Sequence, residues 1–264
     1  MENIKLGIST CPNDTFIFGA MIRKDIDIPF NIRVIMDDIQ LCNELAINKK
    51  LDIVKVSFGV FNEIKNDYKI LKCGGALGFG CGPLILSKKY SSMDELKGKK
   101  IAIPGINTTA FMVFKRFFPE CAANTVEMRF DTIMESISKG ETDAGLVIHE
   151  GRFTYKNFGL SKITDIGSEW ESRYNLPIPL GFIAIKKDMA HIADTVNDAI
   201  KRSIDFAYDN IEISYSFAEK YAQDMDKDVM ASHIKLYVNE YSKDMSPAID
   251  AISELLNVDD SVFA

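Results

Sequence analysis

Short apolar segments alternate with longer segments of helical periodicity through the first part of the chain. Strands are predicted at residues 4–9, 32–36 and 52–57, and helices at residues 14–23, 39–48 and 59–65. Strands and helices that follow one another in this way predict a parallel or mixed sheet with helices on both faces.

A glycine-rich stretch at residues 74–83 interrupts the alternation, and its spacing fits neither a dinucleotide-binding loop nor a phosphate-binding loop. A strand at residues 84–87 follows the glycines and could cross between two lobes. A second set of elements comes next, with strands at residues 100–103, 125–130 and 143–148 and helices at residues 108–118 and 132–138. A strand at residues 181–186 returns to the first set, and helical segments follow at residues 192–208, 211–221, 228–237 and 247–256.

This order predicts an α/β fold of two lobes, each a mixed sheet flanked by helices. The first lobe is expected to be discontinuous, with residues 1–87 plus 185–264, and the second, residues 88–184, is inserted into it. Because two connections join the lobes, we expect them to close on a ligand that binds in a cleft between them.

Composition narrows the classes of function. The chain of 264 residues has a net charge of -7 and no basic cluster, which argues against nucleic-acid binding. No apolar run is long enough for a membrane span, and the first residues show no signal-peptide pattern, so a cytoplasmic location is expected. The five cysteines are odd in number and irregularly spaced, as is typical of reduced thiols.

His149 and Glu150 follow an apolar segment, residues 144–148, that has the character of a buried strand. A strand that ends in this way delivers its last side chains to the edge of a sheet, where α/β proteins bind ligands. Histidine titrates near neutral pH, so His149 is the first candidate for proton transfer. Phe153 occupies the position where a zinc protease motif needs its second histidine, and no metal site is predicted. The alternative is a histidine that is satisfied by a backbone partner at a strand end.

Two other segments carry polar side chains at predicted strand ends. Thr108, Thr109 and Ala110 open a helix, where a threonine is expected to cap the helix and free N–H groups would also suit a carboxylate or a phosphate. Lys55, Val56 and Ser57 close a strand, and the plain interpretation is a solvent-facing lysine followed by a serine that caps the next helix.

The segment that precedes the first long helix contains Cys11, Asn13 and Asp14. A thiol at a helix start is a possible nucleophile, but cysteine is more often a small buried apolar residue. We expect Asn13 and Asp14 to cap the helix. His191 and His233 fall in helical segments, and we expect both at the surface.

Together these segments resemble a known enzyme family, the 1,4-dihydroxy-6-naphthoate synthases of the futalosine route to menaquinone. The resemblance covers at least residues 1–185 and is carried by STCPNDTFIF at 9–18, KVS at 55–57, GGALG at 74–78, TTA at 108–110, AGLVIHE at 144–150 and LPIPLG at 176–181. Two positions depart from the family pattern: Thr10 stands where proline is usual, and Gly151 stands where serine is common. We expect Gly151 to loosen the loop behind His149.

The resemblance implies a two-lobed fold like that of the type II periplasmic binding proteins, used here by an enzyme without a cofactor. It implies that cyclic dehypoxanthine futalosine is cleaved to 1,4-dihydroxy-6-naphthoate, with release of a three-carbon fragment. The family's catalytic base falls on His149, and its substrate-binding segments fall on Lys55, Val56, Ser57, Thr109 and Ala110. Candidates for supporting roles are Asn13, Asp14, Thr108, Glu150 and Arg152.

Two alternatives share this fold. One is a non-enzymatic solute-binding protein for a small carboxylate, and the other is the related chorismate dehydratase. Fold alone does not separate them from the synthase, because function depends on the site. The expected partner is a small-molecule carboxylate substrate, with neither nucleic acid nor membrane, and the sequence leaves the oligomeric state open.

Overall fold

A computed structural model describes residues 2–222 and 225–264. The chain forms two compact units. The first contains Met1–Gly78 and Pro179–Ala264, and the second contains Phe79–Ile178. The chain therefore leaves the first unit once and returns to it.

The first unit is built on a mixed sheet. Its strands are β1 (Glu2–Ser9), β2 (Phe30–Asp37), β3 (Ile53–Ser57), β4 (Tyr68–Ile70), β5 (Ala76–Gly78) and, late in the chain, β11 (Ile178–Lys186). Their order is β2-β1-β3-β11-β4, with β5 paired to β11. Strands β1, β2 and β3 are parallel, and β11 runs antiparallel to β3. The carboxyl ends of β1 and β3 consequently meet at one edge of the sheet.

Helices cover this sheet and supply most of its core. They are α1 (Pro12–Arg23), α2 (Ile39–Ile47), α3 (Phe61–Ile64), α8 (Ala193–Asp209), α9 (Ile211–Glu219), α10 (Lys227–Tyr237), α11 (Glu240–Lys243) and α12 (Ile249–Leu256). The fully buried face of α1, including Phe16 and Ile17, packs in one cluster with Ile200 and Ile204 of α8. Burial of that apolar surface is the main force that holds α1 against the sheet.

The last residues lie along the outer edge of β4. Phe263 forms a parallel bridge with Ile70, and the amide of Ala264 donates to the Ile70 carbonyl at 2.9 Å. The ammonium of Lys69 also donates to the Phe263 carbonyl at 3.1 Å.

The second unit has its own five-stranded sheet. Its strands are β6 (Leu84–Ser87), β7 (Ile101–Ile103), β8 (Thr125–Glu127), β9 (Ala144–Val147) and β10 (Ser161–Asp165), in the order β10-β6-β9-β7-β8. Strand β9 is central, parallel to β7 and antiparallel to β6. A central strand is covered on both faces, which explains why all four residues of β9 are buried and apolar or small.

Four helices accompany this sheet: α4 (Thr109–Phe117), α5 (Ile133–Lys139), α6 (Gly151–Thr154) and α7 (Ile166–Tyr174). Helix α5 lies close against β9 at Gly145, where a Cβ atom would come within 2.4 Å of the Ile133 side chain. Glycine at this position therefore sets how closely α5 approaches the strand.

The structure confirms an α/β fold with two mixed sheets flanked by helices. One expected boundary is wrong: residues 84–87 were assigned to the first lobe, but β6 pairs with β9 and β10 in the second sheet. His191 is exposed, as predicted, and pairs with Glu2 at 3.1 Å. His233 is fully buried rather than at the surface and packs against the ring of Tyr237.

Within the described part of the chain, none of the helices combines the length and the apolar character that crossing a bilayer requires.

Candidate active site

His149 lies just beyond the carboxyl end of β9, as the sequence predicted. Its backbone has a φ of 56°, in the left-handed region that residues with a Cβ rarely adopt. Such a conformation costs about 1–3 kcal/mol and persists only where the surroundings impose it, often at functional sites. The side chain is partly exposed, and its ring packs against Phe130 with centroids 5.0 Å apart.

The turn that holds Thr108 and Thr109 lies at the same edge of the second sheet. Strands β7 and β9 are parallel, with Ala102 opposite Gly145, so the segments that follow them leave the sheet on the same side. The amino end of β6 also reaches this edge, because β6 is antiparallel and Leu84 pairs with Val147. The structure thus places the His149 turn and the start of α4 at the same edge of the second sheet.

Thr108 is the N-cap of α4, as predicted. Its Oγ1 accepts a hydrogen bond from the Phe111 amide at 3.2 Å and donates to the Gly105 carbonyl at 2.7 Å. Thr109 and Ala110 follow in the first turn, and both are buried. A helix start of this kind combines N–H donors with the positive end of the helix dipole, which favours a bound anion.

Glu150 does not cap α6: it occupies the N-cap position, but its side chain makes no capping hydrogen bond. Burial raises the pKa of its carboxyl above the usual range, and the nearby charge of Asp131 raises it further. A carboxyl in this position is therefore easier to protonate than an exposed one.

We expect Glu150→Gln to raise the free energy of unfolding near neutral pH and to change it little in acid. Because the pKa of Glu150 is raised in the folded state, the folded protein keeps a proton that the unfolded chain has lost, and stability falls as the pH rises through that range. Glutamine does not ionise and avoids this loss. Urea unfolding at about pH 4 and about pH 7 measures the effect. The exposed residue Glu141 supplies the control, Glu141→Gln, and an equal gain at both pH values would contradict the expectation.

Arg152 stabilises the edge of the second sheet at which His149 lies. Its guanidinium donates to the Gly82 carbonyl and forms an ion pair with Asp165 at 2.7 Å. Asp165 in turn accepts hydrogen bonds from the amides of Gly167 and Ser168 at the start of α7. Arg152 therefore ties the short helix after His149 to the segment before β6 and to the N-cap of α7.

Gly151 packs tightly, which corrects the expectation that it loosens the loop. It is buried at the start of α6, and a Cβ atom there would lie 2.3 Å from Cγ1 of Val147. Met134 would also be in contact, at 3.4 Å. The absence of a side chain lets the turn after His149 fold back against β9.

We expect Gly151→Ala to lower the free energy of unfolding by about 1–3 kcal/mol, the usual cost of overpacking a core. The double variant Gly151→Ala, Val147→Ala should recover part of the loss, because it removes the methyl group that the new Cβ would meet. Chemical denaturation of the two single variants and the double variant measures the coupling. Additive losses would contradict the proposed clash.

A second polar cluster lies in the first unit, at the carboxyl edge of β1 and β3. The buried ammonium of Lys55 pairs with Asp14 Oδ1 at 3.1 Å and donates to the Gly74 carbonyl at 2.8 Å. Asp14 Oδ2 accepts from the Ser9 hydroxyl at 2.6 Å, and Asn13 donates to Asp14 Oδ1 at 2.8 Å. The expected solvent-facing lysine is thus wrong, since the Lys55 side chain is 4% exposed.

The expected helix caps in this unit are also wrong. Asn13 and Asp14 lie inside the first turn of α1, whose N-cap is the buried Cys11. Ser57 makes no side-chain cap to the turn that follows it. The requirement to neutralise a buried ammonium explains why Asp14 turns towards Lys55 rather than towards the helix.

Ser57 is held by a residue that sequence reasoning missed. Asn43 of α2 donates to the Ser57 hydroxyl at 3.3 Å and accepts from the Ser57 amide at 2.9 Å. Asn43 is fully buried, and an amide in the middle of an apolar helix was the signal that could have identified it. Val56 points to the opposite face of β3 and is fully buried, so its backbone is the part that a ligand could reach.

Comparison with known proteins adds to this geometry. The family model described as menaquinone biosynthesis matches residues 4–259. A 1,4-dihydroxy-6-naphthoate synthase of Streptomyces coelicolor is 39% identical over 249 residues, which cover 92% of this chain and 88% of that protein. A synthase of the same name from Thermus thermophilus is 35% identical over 246 residues, covering 93% and 89% of the two chains.

Solved structures support the fold. The Archaeoglobus fulgidus protein AF1704 has a TM-score of 0.91 and 32% identity, and the match covers 97% of this chain and 96% of that one. The aliphatic sulphonate binding protein SsuA of Escherichia coli has a TM-score of 0.66 at 12% identity, covering 97% and 86%. The likeness to SsuA shows a fold of the periplasmic-binding-protein type.

Proposed function

Since this chain belongs to the menaquinone biosynthesis family and is an enzyme of that pathway, we propose that it is a 1,4-dihydroxy-6-naphthoate synthase. In this reaction cyclic dehypoxanthine futalosine loses its sugar-derived three-carbon fragment through cleavage of a carbon–carbon bond. The remaining ring becomes aromatic and leaves as 1,4-dihydroxy-6-naphthoate, so the enzyme is a carbon–carbon lyase.

His149 is the general base of the proposed mechanism. A neutral imidazole accepts the proton from a carbon next to the substrate carbonyl, and the electron pair of that C–H bond moves towards the carbonyl oxygen. The carbon–carbon bond to the three-carbon fragment then breaks, and its electron pair leaves with the fragment. The protonated imidazole returns its proton to the fragment, and the remaining ring aromatises. The position of His149, partly exposed on a strained turn at the end of β9, supports this role.

The charge that develops on oxygen requires donors that are already in place. The start of α4, at Thr109 and Ala110, offers N–H groups at the same sheet edge as His149. In the first unit, the buried residue Lys55 is paired with Asp14, and the buried residue Ser57 is hydrogen-bonded to Asn43. Groups fixed in this way need no reorganisation as the reaction proceeds, which is the main advantage of preorganised electrostatics. We assign substrate binding to Lys55, Ser57, Thr109 and Ala110, together with the backbone of Val56.

One observation carries the proposal: a histidine with a left-handed backbone conformation follows the central strand β9 in a chain of this family. The test is an assay with cyclic dehypoxanthine futalosine and no added cofactor, in which chromatography follows formation of the naphthoate. Product formed in proportion to enzyme supports the synthase. Binding of the substrate without product would instead favour a solute-binding protein, and conversion of chorismate would favour the related dehydratase.

A further inference from the structure

We propose that Phe130 positions the imidazole of His149 for proton abstraction, an inference that rests on the proposed function and adds a residue to it. The two rings are 5.0 Å apart between centroids, and their planes meet at 67°. This is the edge-to-face arrangement that aromatic pairs prefer. Phe130 lies at the start of the short turn Phe130–Thr132, which precedes α5.

The residue His149 is partly exposed on its turn, so a neighbouring side chain can influence where its ring points. The strained backbone fixes where the Cβ atom points, but two side-chain torsions still decide where the ring nitrogens lie. A base must stay within hydrogen-bond reach of the proton that it removes. The ring of Phe130 restricts both torsions from one side.

The position of Phe130 is itself fixed by the fold. The amide and the hydroxyl of Thr132 both donate to the Arg129 carbonyl, at 3.0 and 2.8 Å, and close the turn. Ile133, the next residue, is fully buried where α5 approaches Gly145 of β9. Packing of α5 on the strand that leads to His149 therefore also sets the distance between the two rings.

A second observation places the two turns side by side. Asp131, the residue after Phe130, contributes to the raised pKa of Glu150, the residue after His149, in addition to the larger effect of burial. Two consecutive residue pairs thus connect the turn at residues 130–132 with the turn at residues 149–150. Phe130 contacts the ring of His149, and the charge of Asp131 acts on Glu150.

The test compares Phe130→Leu with Phe130→Tyr, which keeps the ring. We expect Phe130→Leu to lower kcat roughly 10- to 100-fold, the scale on which a small misplacement of a catalytic group acts, with KM changed by less than about twofold. With substrate deuterated at the carbon that loses the proton, the primary isotope effect on kcat should rise, because proton transfer becomes slower than the other steps. Phe130→Tyr should keep kcat and the isotope effect near those of the unmodified protein.

Phe158→Leu is the control, since Phe158 is an exposed phenylalanine of the same unit, on the turn Tyr155–Phe158. NMR of the His149 ring protons gives a readout that does not depend on turnover: Phe130→Leu should shift these signals, and Phe158→Leu should not. Unchanged kcat in Phe130→Leu, or a rise in KM alone, would overturn the positioning role. An unmodified protein that gives no product would instead refute the proposed function, and unshifted His149 signals would then refute this inference separately.

Discussion

His149→Ala is expected to reduce turnover of cyclic dehypoxanthine futalosine by about 100- to 10,000-fold, the usual contribution of a positioned general base. Substrate affinity should change much less, because the proposed binding groups lie on other segments. The variant should also remain folded, since His149 is partly exposed and follows the strand rather than forming part of it. Steady-state kinetics and thermal unfolding of the same preparation measure both effects.

His191→Ala is the matched control for that experiment. His191 is an exposed histidine whose partner, Glu2, is also exposed, so its loss should leave kcat unchanged. A His149→Ala variant that is as active as His191→Ala would refute the assignment of the base. Loss of activity together with loss of folded structure would show a structural histidine instead.

Asp14→Ala is expected to lower the free energy of unfolding by about 3–5 kcal/mol, because it leaves the buried ammonium of Lys55 without its carboxylate. The hydroxyl of Ser9 and the amide of Asn13 would lose their shared acceptor as well. Urea unfolding measures the loss. In the double variant Asp14→Leu, Lys55→Met, stability should largely return, since replacing both members of a buried pair by apolar residues is often neutral.

Asp205→Ala is the control for the buried pair. Asp205 forms an ion pair with Lys243 in which both side chains are about half exposed, so its removal should cost less than about 1 kcal/mol. An equal decrease in the free energy of unfolding for Asp14→Ala and Asp205→Ala would contradict the special importance of burial for the Lys55–Asp14 pair. If the double variant recovers stability but not activity, Lys55 acts on the substrate in addition to balancing Asp14.

The elements that sequence analysis predicted are those with a strong apolar pattern. Strand β9 and the long helix α8 are examples, because a buried strand or an amphipathic helix shows its burial directly in its residues. Strands β4 and β5 are only three residues long, too short to show any period. Strand β10 has the sequence SKITD and is exposed along its first residues, so it lacked the apolar signal altogether.

Sequence analysis located the candidate-site residues whose position depends only on neighbouring residues. It missed contacts between residues that are distant along the chain. His149 and the Thr108 cap depend on local order along the chain. The burial of Lys55 depends on Asp14 and on the Gly74 carbonyl, which are distant in sequence and meet only in the folded sheet. For the same reason Asn43 and Phe130 escaped notice, because neither shows its partner in the residues beside it.

Strand β4, with its attached C-terminal residues, bears on how readily the first sheet could pair edge to edge with another molecule. An open strand edge invites pairing with another molecule, which leads to aggregation. Here the Ile70 carbonyl already accepts from Ala264, so one border of the first sheet offers few free groups. The opposite edge strand is β2, whose exposed positions include Ile35 but also the charged residues Arg33 and Asp37, and charge on an edge strand discourages pairing. The C-terminal residues at β4 and the charged residues of β2 thus make edge pairing less favourable at both edges of the first sheet.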